Sequence, residues 1–135
     1  MAARYLLDTD ICSYVRRSDR PALRVRFEKL APGEAAISVI TYGEMIYGAV
    51  RSATPALGIE RIEKFVQALR VLALPTEAAH AYGNIRGALS GAGTPIGPND
   101  LWIAAHAFAE NLILVTNNER EFRRVKGLKV ENWAR

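Results

Sequence analysis

The sequence predicts an α/β domain, a single three-layer α/β/α sandwich with a mostly parallel central sheet. Three observations carry that expectation. Short apolar runs end abruptly on polar residues, amphipathic stretches of helical period lie between them, and the strand-to-helix order recurs along the chain. Strands that alternate with helices are joined by crossovers rather than hairpins, so neighbouring strands run parallel and helices cover both faces.

The first strand is Tyr5, Leu6 and Leu7, stopped by Asp8, Thr9 and Asp10. A helix follows from Ile11, with Asp10 read as its cap. Residues 21–30 place Leu23, Phe27 and Leu30 at helical spacing among basic residues, a surface helix that ends at Pro32 and Gly33. Residues 35–40 form the second strand, and Thr41 to Glu44 opens a helix carrying Met45, Ile46 and Val50. Ile59, Ile62, Phe65, Val66 and Leu69 mark an amphipathic helix over 57–72, which leads into a short strand at 71–74. Residues 76–89 form another helix, ended by Ser90, Gly91, Ala92 and Gly93. After the rigid 95–98 loop, Asn99 and Asp100 begin a helix that is apolar nearly all round and must be buried. Residues 111–115 are the next strand, and a short helix over 119–124 and an edge strand at 128–130 close the chain.

At 135 residues, 50% hydrophobic and 24% charged, the chain reads as one domain over 1–135, too apolar for a disordered tail. No stretch approaches the roughly 18 uninterrupted apolar residues of a membrane span, and acids interrupt the first ten residues where a secretory signal needs an apolar core. The expected location is the cytoplasm, with no membrane partner. The single Cys12 excludes an internal disulfide and a Cys-rich zinc site. Lys and Arg outnumber Asp and Glu by 18 to 14, a net charge of +4 that suits a polyanionic partner.

In open α/β sheets ligands collect outside the carboxyl ends of the strands. That rule selects Asp8 after the first strand, Glu44 in the helix after the second, Asp100 at the head of the buried helix, and Asn117 and Asn118 after the strand ending at Val115. Three acids from distant parts of the chain then converge. Clustered carboxylates repel one another and need a proton or a cation, and an oxygen-only donor set selects a hard ion, Mg²⁺ or Mn²⁺, over Zn²⁺. Such an ion activates water toward a phosphodiester, so the residues point to metal-dependent phosphoryl hydrolysis.

Each residue also has a plainer reading. Thr41 and Glu44 match a capping box, and that motif alone favours capping for Glu44. Asp100 can simply complement the positive end of its helix. Asp8 is harder to dismiss, because a charge ending an apolar strand is costly unless it is paired. His80 and His106 have no acidic partner that spacing identifies and read as structural or surface residues, which disfavours histidine-based and zinc-based hydrolysis. Trp102 and Cys12 read as core. Basic residues cluster at Arg16, Arg17, Arg20, Arg24, Arg26 and Lys29, and again at Arg120, Arg123, Arg124, Lys126 and Lys129.

Four segments in register, spanning essentially the whole chain, resemble the PIN-domain ribonucleases. They are Leu7, Asp8, Thr9, Asp10; then Thr41, Tyr42, Gly43, Glu44; then Pro95 to Asp100 with Ile103, Ala104 and Ala105; and Leu114 to Asn118 with Glu121 and Phe122. The C-terminal stretch from Arg124 to Trp133 extends the resemblance to VapC toxins of bacterial type II toxin–antitoxin systems. The resemblance implies an endoribonuclease that uses Mg²⁺, with Mn²⁺ able to substitute, coordinated by Asp8, Glu44 and Asp100. It also implies a VapB-like antitoxin partner, a homodimer, and an RNA substrate. The 95–107 stretch, similar to enteric-type VapC proteins, points to tRNA. PIN domains often carry a fourth acid where this chain has Asn118, so either the Asn118 carbonyl or a following acid, Glu121 before Glu119, takes that place. Thr9 and Thr116 can orient the carboxylates.

Two rival readings differ in class. Asp8, Thr9 and Asp10 after a strand imitate the nucleophile motif of haloacid-dehalogenase-type phosphatases, but Cys12 stands where that motif has Thr, and no paired acids follow downstream. A non-catalytic nucleic-acid or partner-binding protein of the same fold is the other alternative, motivated by the missing fourth acid.

Overall fold

The computed structural model describes residues 2–17 and 20–134. Tyr5–Leu7 forms the buried strand β1, and Asp8 converts it at once into the helix α1, Thr9–Arg17. The Asp8 carbonyl accepts from the Cys12 N–H at 3.1 Å, and its carboxylate Oδ1 accepts from the Ile11 N–H at 2.8 Å. Asp8 is therefore the cap expected of Asp10, which lies exposed in the first turn. The reason is one of register: the helix begins at Thr9, so the residue before it meets the orphan donors.

Helix α2, Pro21–Glu28, follows and packs against α1. Strand β2 spans Ala35–Ser38 and helix α3 spans Val39–Val50. The strand is shorter than the β-branched run over 35–40 suggests, because the Ser38 hydroxyl accepts from the Ile40 N–H at 3.1 Å and starts the helix two residues early. Helix α4 is Pro55–Val66, β3 is Arg70–Leu72, and α5 is Ala78–Gly91. Helix α6, Pro98–Ala109, is the buried one, as its composition requires, with Leu101, Ile103, Ala104, Ala105, His106 and Ala107 shielded. Strand β4, Ile113–Val115, the single-turn α7, Glu119–Phe122, and the two-residue β5, Val130–Glu131, complete the described chain.

The strands lie in the order β3-β2-β1-β4-β5 and every pairing is parallel. Side chains alternate across the sheet. Leu6, Ala36 and Leu114 face a core closed by α5, α6 and Phe122, while Tyr5, Leu7, Ile37 and Val115 face a second core closed by α1 to α4 and Trp133. This is the three-layer sandwich expected. Tyr82 of α5 stacks on Trp102 of α6 with ring centroids 4.0 Å apart, so Trp102 joins two helices rather than offering an open face. Cys12 is fully buried in the second core, and burial pushes its thiol up. No helix among the described residues is long and apolar enough to cross a membrane.

His106 is buried and structural. Its Nδ1 lies 2.9 Å from the Ser38 hydroxyl and its Nε2 lies 3.6 Å from the Glu110 carboxylate, tying α6 to the start of α3. Burial lowers its pKa and favours the neutral ring.

The sheet order places the site. From β1 the chain winds outward to β2 and β3 on one side and to β4 and β5 on the other, so the winding reverses between β1 and β4. A crevice at the carboxyl ends of strands opens at such a switch point.

Candidate active site

Asp8 and Thr116 leave β1 and β4 at that switch point. The Thr116 hydroxyl donates to Asp8 Oδ2 at 2.5 Å and accepts from the Asn118 N–H at 2.9 Å. Both oxygens of Asp8 are thus oriented, one by Thr116 and one by the Ile11 N–H, and the residue is 5% exposed.

Glu44 comes from α3. With Ser38 as the cap, Thr41 falls inside the helix and the capping box does not form, which corrects the plainer reading of Glu44. Its Oε1 instead accepts from the Thr9 hydroxyl at 2.5 Å, and its Oε2 accepts from the Asn99 side-chain amide at 3.2 Å. Asn99 is a contact that sequence reasoning did not single out; its position beside Asp100, at the start of a buried helix, was the available signal.

Asp100 is half-buried in the first turn of α6. Its carboxyl hydrogen-bonds that of Glu121. Glu121 also accepts from the Asn118 side-chain amide at 2.7 Å and from the Gly97 N–H at 3.4 Å. Asn118 therefore holds Glu121 beside Asp100, while Glu119 turns away to Arg123 at 3.4 Å. Asp8, Glu44, Asp100 and Glu121 come together from four elements; Asn118 braces the last of them. His80, by contrast, is exposed on α5.

The electrostatics follow from crowding. Burial, opposed by the Thr116 and Ile11 hydrogen bonds and reinforced by the charges of Asp10 and Glu44, pushes Asp8 up to about 6. Burial, the hydrogen-bonded Glu121 and the charges of Asp8 and Glu44 push Asp100 well above the usual carboxylate range. Among the described residues, no three Asp, Glu, His or Cys side chains close on one point at chelating distance. Hydroxyls and amides each hold one carboxylate, Thr116 on Asp8, Thr9 and Asn99 on Glu44, and Asn118 on Glu121. An all-oxygen set of this kind suits a hard cation that keeps part of its water shell, and it does not suit zinc.

A stability prediction follows for the metal-free protein. Raising the folded-state pKa of Asp8 from 3.8 to about 6 makes the folded chain bind its proton more tightly than the unfolded chain does. Stability from this group is therefore greatest below pH 3.8, falls as pH rises toward 6, and stays low above that. The loss is at most about 3 kcal/mol. Asp8→Asn is expected to flatten this part of the pH profile and to unfold a few degrees higher than wild type at pH 8 in chelator. Thermal melts at pH 4, 6 and 8 check it, and an equal pH dependence in the two proteins would contradict it.

The PIN domain sequence pattern matches residues 5–128. The chain is 43% identical over 131 residues to the tRNA(fMet)-specific endonuclease VapC of Shigella flexneri, covering 97% of this chain and 98% of that protein. It is 47% identical over 132 residues to ribonuclease VapC2 of Haemophilus influenzae, with the same two coverages. Its structure superposes on a chain of DNA-bound VapBC of Salmonella typhimurium with a TM-score of 0.90 at 40% identity, covering 97% of this chain and 98% of that chain. For VapBC2 of Rickettsia felis bound to a promoter DNA fragment the TM-score is 0.88 at 36% identity, with coverages of 96% and 98%.

Proposed function

The chain belongs to the PIN-domain family, and on that premise we propose that it is a divalent-metal-dependent endoribonuclease acting as the toxin of a type II toxin–antitoxin pair. The observation that supports this reading most is the group of carboxylates at the switch point, two of them driven up in pKa by burial and by one another. Asp8, Glu44 and Asp100 would hold Mg²⁺ or Mn²⁺, with Glu121 in the place of the family's fourth acid. When bound, the cation supplies charge neutralisation for the phosphodiester and makes water acidic enough to attack it.

The chain's own groups do the positioning. Thr116 fixes Asp8, Thr9 and Asn99 fix Glu44, and Asn118 and the Gly97 N–H fix Glu121. With no cation, burial and the neighbouring Glu121, Asp8 and Glu44 carboxylates favour the protonated form of Asp100. In-line attack on the RNA backbone leaves a 5′-phosphate and a 3′-hydroxyl, and the relatives' substrate makes a tRNA loop the first candidate. The partner is a VapB-like antitoxin, as in the VapBC complexes, and a second copy of the chain is the other partner of this reading. Exposed Val39, Tyr47 and Val50 on α3 are apolar surface that such an assembly would cover.

The phosphatase alternative is disfavoured by Cys12, which is fully buried where that motif carries a Thr hydroxyl. Purified chain, free of antitoxin, is expected to cut total tRNA into discrete fragments bearing 5′-phosphates. Intact tRNA after prolonged incubation with Mg²⁺ or Mn²⁺ would contradict the proposal.

A further inference from the structure

Two basic clusters flank the carboxylate site in the sequence, and the structure separates them. In the C-terminal one, Arg123 pairs with Glu119 at 3.4 Å, Arg124 donates to the Pro95 carbonyl at 3.1 Å, and Lys129 donates to Asn111 at 3.1 Å. Those cations are engaged within the fold. On the other side, α4 faces α1 across a cavity and adds Arg61 and Lys64, which no linear cluster contains, to Arg16. Arg16, Arg61 and Lys64 are exposed, and among the described residues none forms an ion pair.

These cations line a continuous depression. A cavity of about 430 Å³ begins at Thr9 and Glu44 and runs past Ser13, Arg16 and Arg61. Ser13, Arg16 and Arg61 also line a second cavity of about 860 Å³, where Lys64 and the partly exposed rings of Phe27 and Phe65 take over. The groove thus starts at a carboxylate of the site and continues as positive charge that has no ion-pair partner among the described residues, with aromatic rings in its wall.

We propose that this groove between α1 and α4 is the track that holds the single-stranded RNA leading away from the cleavage site, with Arg16, Arg61 and Lys64 on successive phosphates and Phe27 and Phe65 against bases. The proposal rests on the nuclease reading above and adds to it the substrate's path. Exposed cations supply backbone affinity, and rings accept any base by stacking, so the track confers affinity without reading sequence. Its continuity with Glu44 distinguishes it from the C-terminal cluster, in which Arg123, Arg124 and Lys129 are engaged.

The test measures binding of a fluorescent single-stranded RNA oligonucleotide by anisotropy in EDTA, where no cleavage intervenes, between 50 and 200 mM salt. The triple variant Arg16→Ala, Arg61→Ala, Lys64→Ala is expected to bind about tenfold more weakly or worse, with the slope of log affinity against log salt shallower by about 2. All three side chains are exposed, so folding is preserved, and the Arg16→Lys, Arg61→Lys pair is expected to retain affinity. The control pair Arg120→Ala, Lys126→Ala is expected to change affinity less than threefold. If the triple variant binds as wild type does, or the control pair takes the loss, the groove is not the track. If the triple variant keeps its RNA affinity but loses binding of a Glu-rich helical peptide, the groove is a protein site and the proposal is overturned. Loss of RNA binding in the triple variant, beside a wild type that cuts nothing with Mg²⁺ or Mn²⁺, supports the track while overturning the nuclease reading; no RNA binding by wild type overturns both.

Discussion

Asp100→Asn is expected to reduce RNA cleavage about a thousandfold or more while raising, not lowering, the melting temperature of the metal-free protein at pH 8. The activity loss follows from removing one charged oxygen donor from a site whose whole effect is electrostatic. The stability gain follows from the same charge: Asp100 is half-buried, hydrogen-bonded to a second carboxyl, Glu121, and repelled by Asp8 and Glu44. An amide of equal shape keeps a hydrogen bond to Glu121 without the repulsion. Glu44→Gln and Asp8→Asn are expected to lose activity to a similar degree. Glu121→Gln, farther from Asp8 in this network, is expected to lose less, about 10- to 100-fold. Cleavage by Asp100→Asn within tenfold of wild type would remove the carboxylate cluster from the mechanism.

Chelation is expected to have the other large effect. EDTA should abolish cleavage, and excess Mg²⁺ or Mn²⁺ should restore it, because the site offers carboxylate and hydroxyl oxygens with no imidazole or thiolate among them. The same ions should raise the melting temperature at pH 8 and do so less as pH falls through 6, since protons compete for Asp8. Restoration by Zn²⁺ in preference to Mg²⁺ would contradict the donor chemistry. Undiminished cleavage in EDTA would contradict the metal reading as a whole.

Much of the fold was legible because its signals are local. Apolar runs ending at Asp8, Thr41 and Thr116 announced strands whose carboxyl ends would share an edge, and the all-apolar stretch after Asp100 announced a buried helix. The misreadings came from residues whose role depends on register. Val39 and Ile40 are β-branched and look like strand, but the Ser38 hydroxyl satisfies the Ile40 N–H and commits them to helix. That two-residue shift dissolved the apparent capping box and turned Glu44 toward Thr9 and Asn99. Asp8 and Asp10 differ in the same way: one register decides which meets the Ile11 N–H. The vacancy left by Asn118 could be seen in sequence, yet only the fold shows that its amide draws Glu121 to Asp100. Arg61 and Lys64 were invisible as partners of Arg16 because the fold, not chain order, sets α4 across the cavity from α1.

The central claim is that the carboxylates at the β1–β4 switch point cut RNA by metal-dependent hydrolysis. Mapping RNA 5′ ends genome-wide after induced expression, with Asp100→Asn as the control, tests it most directly. The account predicts new 5′-phosphate ends concentrated at one position in one or a few RNAs, foremost a tRNA loop, and absent from the Asp100→Asn strain. The same ends in both strains, or no new ends in either, would contradict it.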